Sequence, residues 1–174
     1  AACLVYDDAG RRVARYDKIH LFDVDVPGRN ERYRESNHIE AGRTPVVVDT
    51  PAGRLGLSVC YDIRFPELFR AMVAQGAEWF TVPAAFTVPT GKAHWEALLR
   101  ARAIENLAWV VASGQWGTHA NGRETYGHSL IADHWGEVRA CLPAGEGIVT
   151  AAIDRAAQAA TRQSFPALQH RVLP

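Results

Sequence analysis

The sequence has no excess of charge of either sign, because its 174 residues include 19 Lys and Arg and 19 Asp and Glu. Without a net field, the chain lacks the attraction that draws nucleic acids and anionic membranes to basic proteins. It also has no apolar run long enough to cross a bilayer and no N-x-Ser/Thr sequon. We therefore expect neither a nucleic-acid partner nor a membrane partner.

Cysteine is scarce and widely spaced. Cys3, Cys60 and Cys141 form an odd set without a C-x-x-C pair. This spacing argues against a disulfide framework and against a zinc site. We expect reduced thiols, a cytoplasmic location, and neither a metal ion nor another cofactor.

Strand and helix patterns alternate along the chain, and no repeat or low-complexity linker divides it. The pattern predicts strands at 3–6, 12–16, 46–49, 54–59, 79–82, 109–112, 128–132, 138–141 and 148–153. It predicts helices at 66–75, at 90–106 and shortly after 155, and a long polar loop from 18 to 42. This alternation favours a layered α/β fold, and the length suits a single domain over residues 1–174.

One thiol lies where an apolar run meets a turn crowded with charge. Residues 55–59 alternate as a buried strand would, and Cys60 follows them. Asp62 and Arg64 break the run before Pro66 opens a helix. A strand-turn-helix junction can expose a nucleophile beside free backbone N–H groups. The alternative is that Cys60 is a small apolar core residue.

Five segments in this order carry a family resemblance: 18–23 (KIHLFD), 60–67 (CYDIRFPE), 86–96, 126–129 (YGHS) and 165–171 (FPALQHR). Together they resemble the nitrilase, or carbon-nitrogen hydrolase, superfamily over nearly the whole chain. The resemblance is closest to its Nit branch, beside omega-amidase and deaminated-glutathione amidase. It implies an αββα four-layer sandwich, here without its N-terminal strands and helices.

The resemblance also implies an activity. Members hydrolyse a small carboxamide through a thioester acyl-enzyme and release ammonia, and deaminated glutathione is the lead substrate. Of the family's Glu-Lys-Cys triad, Cys60 matches the nucleophile and Lys18 the cation that stabilises the oxyanion and lowers the pKa of the thiol. The backbone N–H of Tyr61 is the second oxyanion donor, and Phe86 and Thr90 shape the substrate pocket.

The triad's glutamate has no match. In the family it lies well upstream of the lysine, whereas here Asp7, Asp8 and Asp17 are the only acids before Lys18. These three fall in a predicted hairpin turn or beside the lysine. We expect that the N-terminal part carrying the general base is absent from this chain and that activity requires it. The alternative function is a catalytically silent or incomplete family member that acts as a binding or assembly module.

The supporting glutamate, the partners of Asp62 and Arg64, and the substrate-binding arginine each have more than one candidate. A second family glutamate orients the lysine, and it is matched by Glu35, with Glu31 and Glu40 as alternatives. We expect Asp62 and Arg64 to pair with each other or with neighbouring loops rather than with substrate. The substrate carboxylate has three candidate arginines: Arg100, Arg102 and Arg123.

The C-terminal segment suggests self-association. It is apolar at residues 165–168 and again at 172–173, and a short exposed apolar tail is most easily explained by docking on a partner. Since Nit-like enzymes pair their sandwiches, we expect a homodimer.

Overall fold

The computed structural model of the protein describes residues 1–26 and 31–173. Part of the predicted polar loop, at residues 27–30, lies outside the described residues. Within the described residues, the fold consists of one central sheet, three short hairpins and three helices.

The central sheet has six strands, in the order β12-β11-β8-β7-β6-β5. Strands β6, β7 and β8 are parallel to one another, and β5, β11 and β12 each run antiparallel to the neighbour they join. Their bounds are β5 Val47–Thr50, β6 Gly53–Leu57, β7 Trp79–Thr81, β8 Trp109–Ala112, β11 Ser129–Ala132 and β12 Val138–Leu142.

Three two-stranded hairpins accompany the sheet. The first joins β1 Ala2–Tyr6 to β2 Arg12–Asp17 and confirms the predicted N-terminal pair. The others were not predicted, because their strands have only three residues each and show no clear alternation. They pair β3 Asp23–Asp25 with β4 Arg32–Arg34, and β9 Trp116–Thr118 with β10 Glu124–Tyr126.

The helices are α1 Pro66–Ala74, α2 Val88–Asn106 and α3 Arg155–Ser164. Proline stands in the first turn of α1 and of α2, where its missing N–H removes no helical hydrogen bond. Asp154 caps α3 by accepting a 2.8 Å hydrogen bond from the backbone N–H of Ala157.

Close packing of α1 on the sheet depends on one glycine. A Cβ on Gly56 would lie 2.7 Å from the Phe80 ring and 2.9 Å from the Met72 sulfur, so any side chain there would displace them. Phe80 and Met72 are both fully buried, and Phe69 of α1 meets the Phe80 ring edge-on at 5.0 Å. This contact holds α1 directly behind β6, the strand that leads to Cys60.

Two predicted strands need correction. Residues 148–153 form no strand in the described structure, and Ile148 is 91% exposed. An apolar segment becomes a strand only where another strand is placed to pair with it, and none is placed here. Strand β6 ends at Leu57 rather than at Val59, because the chain turns there into a 3₁₀ helix over Cys60–Arg64. The α/β class itself is confirmed, whereas the single domain over 1–174 remains a prediction.

Candidate active site

A cavity of about 920 Å³ opens where the three parallel strands end. The segments that follow β6, β7 and β8 all line it, with Cys60, Ala85 and Gly114 among their residues. Open α/β sheets bind their ligands at the carboxyl ends of parallel strands, where loops diverge and leave a crevice. The topology therefore puts the predicted nucleophile at the binding edge of the sheet.

Cys60 has an unusual backbone. Its φ is 51°, in the left-handed region that non-glycine residues rarely adopt, at a cost of about 1–3 kcal/mol. The conformation is held because the Cys60 N–H donates to the Pro83 carbonyl at 2.9 Å and the 3₁₀ turn begins at once. Such a turn points the side chain into the cavity instead of back into the sheet, as nucleophile elbows do.

Burial has the largest effect on the pKa of the Cys60 thiol. Burial raises the pKa of the Cys60 thiol, and the negative charge of Glu35 acts in the same direction. The Ala85 N–H, which donates to the sulfur, and the positive charges of Lys18 and Arg123 oppose the rise without cancelling it. Lys18 thus acts in the predicted direction, and burial has the larger effect. A nucleophilic role for Cys60 would therefore need a base to take its proton.

Lys18 and Glu35 form a tight pair on the wall of the cavity. Lys18 Nζ lies 2.5 Å from Glu35 Oε2, and Lys18 is only 3% exposed. The same Glu35 oxygen accepts a 2.7 Å hydrogen bond from the Phe22 N–H. Glu31 instead accepts from the Tyr33 hydroxyl, and Glu40 is exposed. Of the three glutamates considered for this role, only Glu35 contacts the lysine.

The other predicted pocket residues also line the cavity. Tyr61 packs edge-on against the Phe22 and Phe65 rings. Phe86, two residues before α2, is buried against Trp95 of that helix. Thr90 lies in the first turn of α2, where its hydroxyl is 2.7 Å from that of Thr87.

The three candidate arginines have different surroundings. Arg100 donates to the Gly136 carbonyl and Arg102 to the Ile63 carbonyl, and neither lines the cavity. Arg123 does line it, and reaches it from the turn between β9 and β10. Its Nη2 donates to the Ala85 carbonyl, its guanidinium lies 5.1 Å from the Tyr33 ring centre, and its buried Nε has no hydrogen-bond partner in the described structure.

Arg64 differs from the prediction. It pairs with neither Asp62 nor a neighbouring loop: its Nη1 lies 3.3 Å from His94 Nδ1 on α2. It also lines the cavity, with its guanidinium 5.3 Å from the Phe86 ring centre. Burial lowers its pKa, and within the described residues neither Arg64 nor Arg123 contacts an acid. Sequence reasoning missed Arg64 as a pocket residue because its position in the turn does not reveal which way the side chain faces.

Asp62 has a structural environment that the sequence did not reveal. It is fully buried and accepts hydrogen bonds from Tyr16, His20 and Val59. The prediction that it pairs with neighbouring loops is correct for the loop after β2, which carries Lys18.

Within residues 1–26 and 31–173, no three His, Cys, Asp or Glu side chains are arranged to hold a metal ion. No helix among these residues combines the length and apolar character needed to span a bilayer.

The mixed sheet, the helices around it and the cavity at its carboxyl edge define the class as an α/β protein, and its likeness to the solved structures described below shows the nitrilase-type fold. The family described as Carbon-nitrogen hydrolase matches residues 1–163. The chain therefore belongs to the carbon-nitrogen hydrolase family, as the sequence motifs predicted.

Individual relatives support this assignment. The chain is 49% identical over 167 residues to deaminated glutathione amidase of Yersinia enterocolitica, covering 96% of this chain and 58% of that protein. The crystal structure of the C. elegans NitFhit protein matches with a TM-score of 0.87 and 46% identity, covering 97% of this chain and 41% of that one. Saccharomyces cerevisiae Nit3, a member of branch 10 of the nitrilase superfamily, matches with a TM-score of 0.86 and 30% identity. The match covers 99% of this chain and 59% of Nit3. The chain thus spans little more than half the length of the Yersinia relative.

Proposed function

We propose that the protein hydrolyses the C–N bond of a small amide through a thioester on Cys60. One observation carries the proposal: Cys60, Lys18 and Glu35 converge on one cavity at the carboxyl ends of three parallel strands. A buried ammonium paired with a carboxylate beside a strained thiol turn suits acyl transfer, which needs a nucleophile and a fixed positive charge for the oxyanion.

The proposed reaction has two halves. A base takes the proton of Cys60 as the sulfur attacks the amide carbon, and the Lys18 ammonium and Tyr61 N–H stabilise the oxyanion. The C–N bond then breaks, and the base returns the proton to the leaving nitrogen. Water activated by the same base hydrolyses the thioester, releasing the carboxylic acid and restoring the thiol. The nitrogen leaves as ammonia when the substrate is a primary amide and as a larger amine when it is a secondary amide.

The general base is proposed to lie outside the described residues. Within them, Glu35 is the only carboxylate that lines the cavity, and its Oε2 is already occupied by Lys18 and the Phe22 N–H. A carboxylate held in this way orients the lysine and is poorly placed to carry protons to and from a substrate. We propose that a glutamate upstream of Lys18 is the base, as the family resemblance implies.

The proposed substrate carries a negative charge, and deaminated glutathione, named in several relatives, is the lead candidate. Two cavity arginines, Arg64 and Arg123, have no acidic partner among the described residues. Partly buried guanidinium groups favour a planar anion, such as a carboxylate, that each can bind through two hydrogen bonds. A glutathione derivative carries carboxylates for the arginines to bind and amide bonds for the enzyme to hydrolyse.

An activity assay tests the proposal. We expect the complete gene product to hydrolyse deaminated glutathione or the monoamide of a dicarboxylic acid, and the 174-residue chain expressed alone to be inactive. Release of ammonia or amine is the measurement. If the short chain matches the rate of the complete protein, the upstream base is wrong and Glu35 becomes the candidate. A complete protein without activity on any amide would instead favour a silent binding or assembly module.

Substrate charge should reveal the role of Arg123. We expect Arg123→Gln to lower kcat/KM for glutaric acid monoamide by about 10–100-fold, since a hydrogen bond to a charged group contributes about 1.5–3 kcal/mol. Hydrolysis of pentanamide, which lacks the carboxylate, should change little. The matched control is Arg100→Gln, on α2 and outside the cavity. Equal losses on the two amides would contradict a role in anion binding.

We also propose a homodimer with a cytoplasmic location. The three cysteines are unpaired, as in proteins of reducing compartments. Phe165 is 53% exposed and contacts the exposed Trp135 ring, and Val172 and Leu173 are more exposed still. Exposed apolar groups of this kind mark protein interfaces.

Sedimentation equilibrium tests the dimer. The complete gene product should have twice the monomer mass at micromolar concentration, and Phe165→Asp should shift it toward monomer. Ile148→Asp introduces the same charge at an exposed apolar residue outside the Trp135 and Phe165 pair and serves as the control. A monomeric wild-type protein would refute the dimer.

A further inference from the structure

One buried carboxylate joins the two segments that carry Lys18 and Cys60. Asp62 has no solvent exposure, and four donors surround its two oxygens. Oδ2 accepts from the Tyr16 hydroxyl and the Val59 N–H, both at 2.8 Å. Oδ1 accepts from the His20 N–H at 3.1 Å and lies 2.8 Å from His20 Nδ1. Because a carboxylate only accepts hydrogen bonds, Nδ1 carries the proton in this contact.

These contacts hold the chain on both sides of the lysine. Tyr16 precedes Lys18 by two residues and His20 follows it by two. In an extended segment, side chains two residues apart point to the same face, so Tyr16 and Lys18 both lie on the buried face of the segment. The Tyr16 hydroxyl also accepts from the Ile19 N–H at 3.2 Å, which ties the residue after the lysine to the same point. Lys18 is thus fixed from both directions through one carboxylate.

The same carboxylate holds the nucleophile turn. By accepting from the Val59 N–H, Asp62 closes the start of the 3₁₀ helix and holds the left-handed backbone of Cys60 in place. At the far end of that turn, the His20 ring stacks on Phe65 with centroids 3.7 Å apart and planes within 5°. Residues on either side of Lys18 therefore contact residues that follow Cys60, and Asp62 in turn binds Val59, which precedes it.

We propose that Asp62 is a positioning residue that sets the placement of the Lys18 ammonium relative to the Cys60 sulfur. The proposal rests on the roles given above to Lys18 and Cys60, and it adds that neither is placed by its own contacts alone. Four donors require four acceptor positions, and a carboxylate has them, whereas an amide replaces two with N–H donors. The Tyr16 hydroxyl stays a donor because burial and the neighbouring Asp62 raise its pKa.

The experiment uses the complete gene product with Tyr16→Phe, His20→Phe and Asp62→Asn. The first two changes keep ring packing, so they remain informative if Asp62→Asn fails to fold. Tyr16→Phe removes the hydroxyl that binds Asp62 and Ile19, and His20→Phe removes the ring hydrogen bond to Asp62. One readout is kcat and KM on an amide substrate. The other is the rate of Cys60 alkylation by iodoacetamide against pH, followed by peptide mapping, which requires no amide hydrolysis. Tyr6→Phe, at an exposed residue of β1, is the matched control.

We expect Tyr16→Phe and His20→Phe to lower kcat by about tenfold and Asp62→Asn by about 100-fold with little change in KM, since a displacement of 1 Å can lower a rate by about 10²-fold. The pH profile of Cys60 alkylation should move toward higher pH in the same variants. In a Lys18→Met background, Tyr16→Phe should cause no further shift of the alkylation profile. Under the proposal, both changes act by removing the effect of the Lys18 ammonium on Cys60, so their effects should not add.

Two results would overturn the proposal. One is a lowered melting temperature with kcat and the alkylation profile unchanged, which is the outcome of a purely structural role. The other is a shift by Tyr16→Phe that persists in full in the Lys18→Met background. If the wild-type protein hydrolyses no amide, but alkylation shows the expected shifts, the positioning role stands and the proposed function fails.

Discussion

Cys60→Ala should abolish amide hydrolysis, with a loss of about 10⁴–10⁶-fold in kcat. Removing the nucleophile of a hydrolase that forms a covalent intermediate typically has an effect of this size, because only binding and oxyanion stabilisation remain. The ion pair between Lys18 and Glu35 does not involve Cys60, so this part of the cavity wall should keep its structure in the variant. Release of ammonia or amine in the complete gene product is the measurement.

Cys141→Ala is the matched control for this change. Cys141 is exposed on β12 and does not line the cavity, so its removal should leave the rate within a factor of two or three. In the wild-type protein, mass spectrometry of a quenched reaction should find the acyl group on the peptide with Cys60. A Cys60→Ala protein that keeps a tenth of the wild-type rate would exclude the thioester mechanism.

Lys18→Met should lower kcat by about 10²–10³-fold, which corresponds to the roughly 2.7–4 kcal/mol typical of one oxyanion donor. The variant also removes a positive charge that opposes the burial effect on the Cys60 pKa, so Cys60 alkylation should shift to higher pH. Methionine approximates the length of lysine and suits a side chain that is only 3% exposed. Steady-state kinetics and alkylation against pH measure the two effects.

The chain offers a close control, because its only other lysine is Lys92. Lys92 is exposed on α2 and does not line the cavity, so Lys92→Met should match the wild-type rate. Circular dichroism should confirm that Lys18→Met remains folded, since Glu35 keeps its hydrogen bond from the Phe22 N–H. Unchanged turnover in a folded Lys18→Met protein would remove the lysine from the mechanism.

Local signals predicted the elements whose pattern repeats over several turns or residues. The first hairpin, α1, α2 and β8 lie within a few residues of their predicted bounds. Segments that depend on a distant partner were predicted poorly. The three-residue strands of the second and third hairpins were missed, and the strand predicted at 148–153 is not formed.

The site divides in the same way. Motif order predicted Cys60, Lys18, Tyr61, Phe86 and Thr90, and all five line one cavity, although their catalytic and binding roles remain predictions. The choice among the loop glutamates needed coordinates, because Glu31, Glu35 and Glu40 lie in one polar segment that sequence alone cannot align with the lysine.

Two further features of the site could be read only from the structure. Arg64 and Asp62 are two residues apart in one turn, yet one faces the cavity and the other is buried. The direction of the Cys60 pKa has a related cause: a neighbouring lysine can be read from the sequence, but the extent of burial cannot.

The sequence by itself determined the α/β class, the family and the thiol and ammonium at the centre of the site, because these follow from local periodicity and from motifs that each occupy a few consecutive residues. Only the tertiary structure decided which glutamate contacts Lys18, which arginines face the cavity, what direction the Cys60 pKa takes and how Asp62 joins the two motifs. Those properties depend on distances and burial between residues that are far apart in the chain, such as Tyr16 and Asp62, which are 46 positions apart. Such distances are set by the packing of the whole sheet and its helices, and no single segment encodes them.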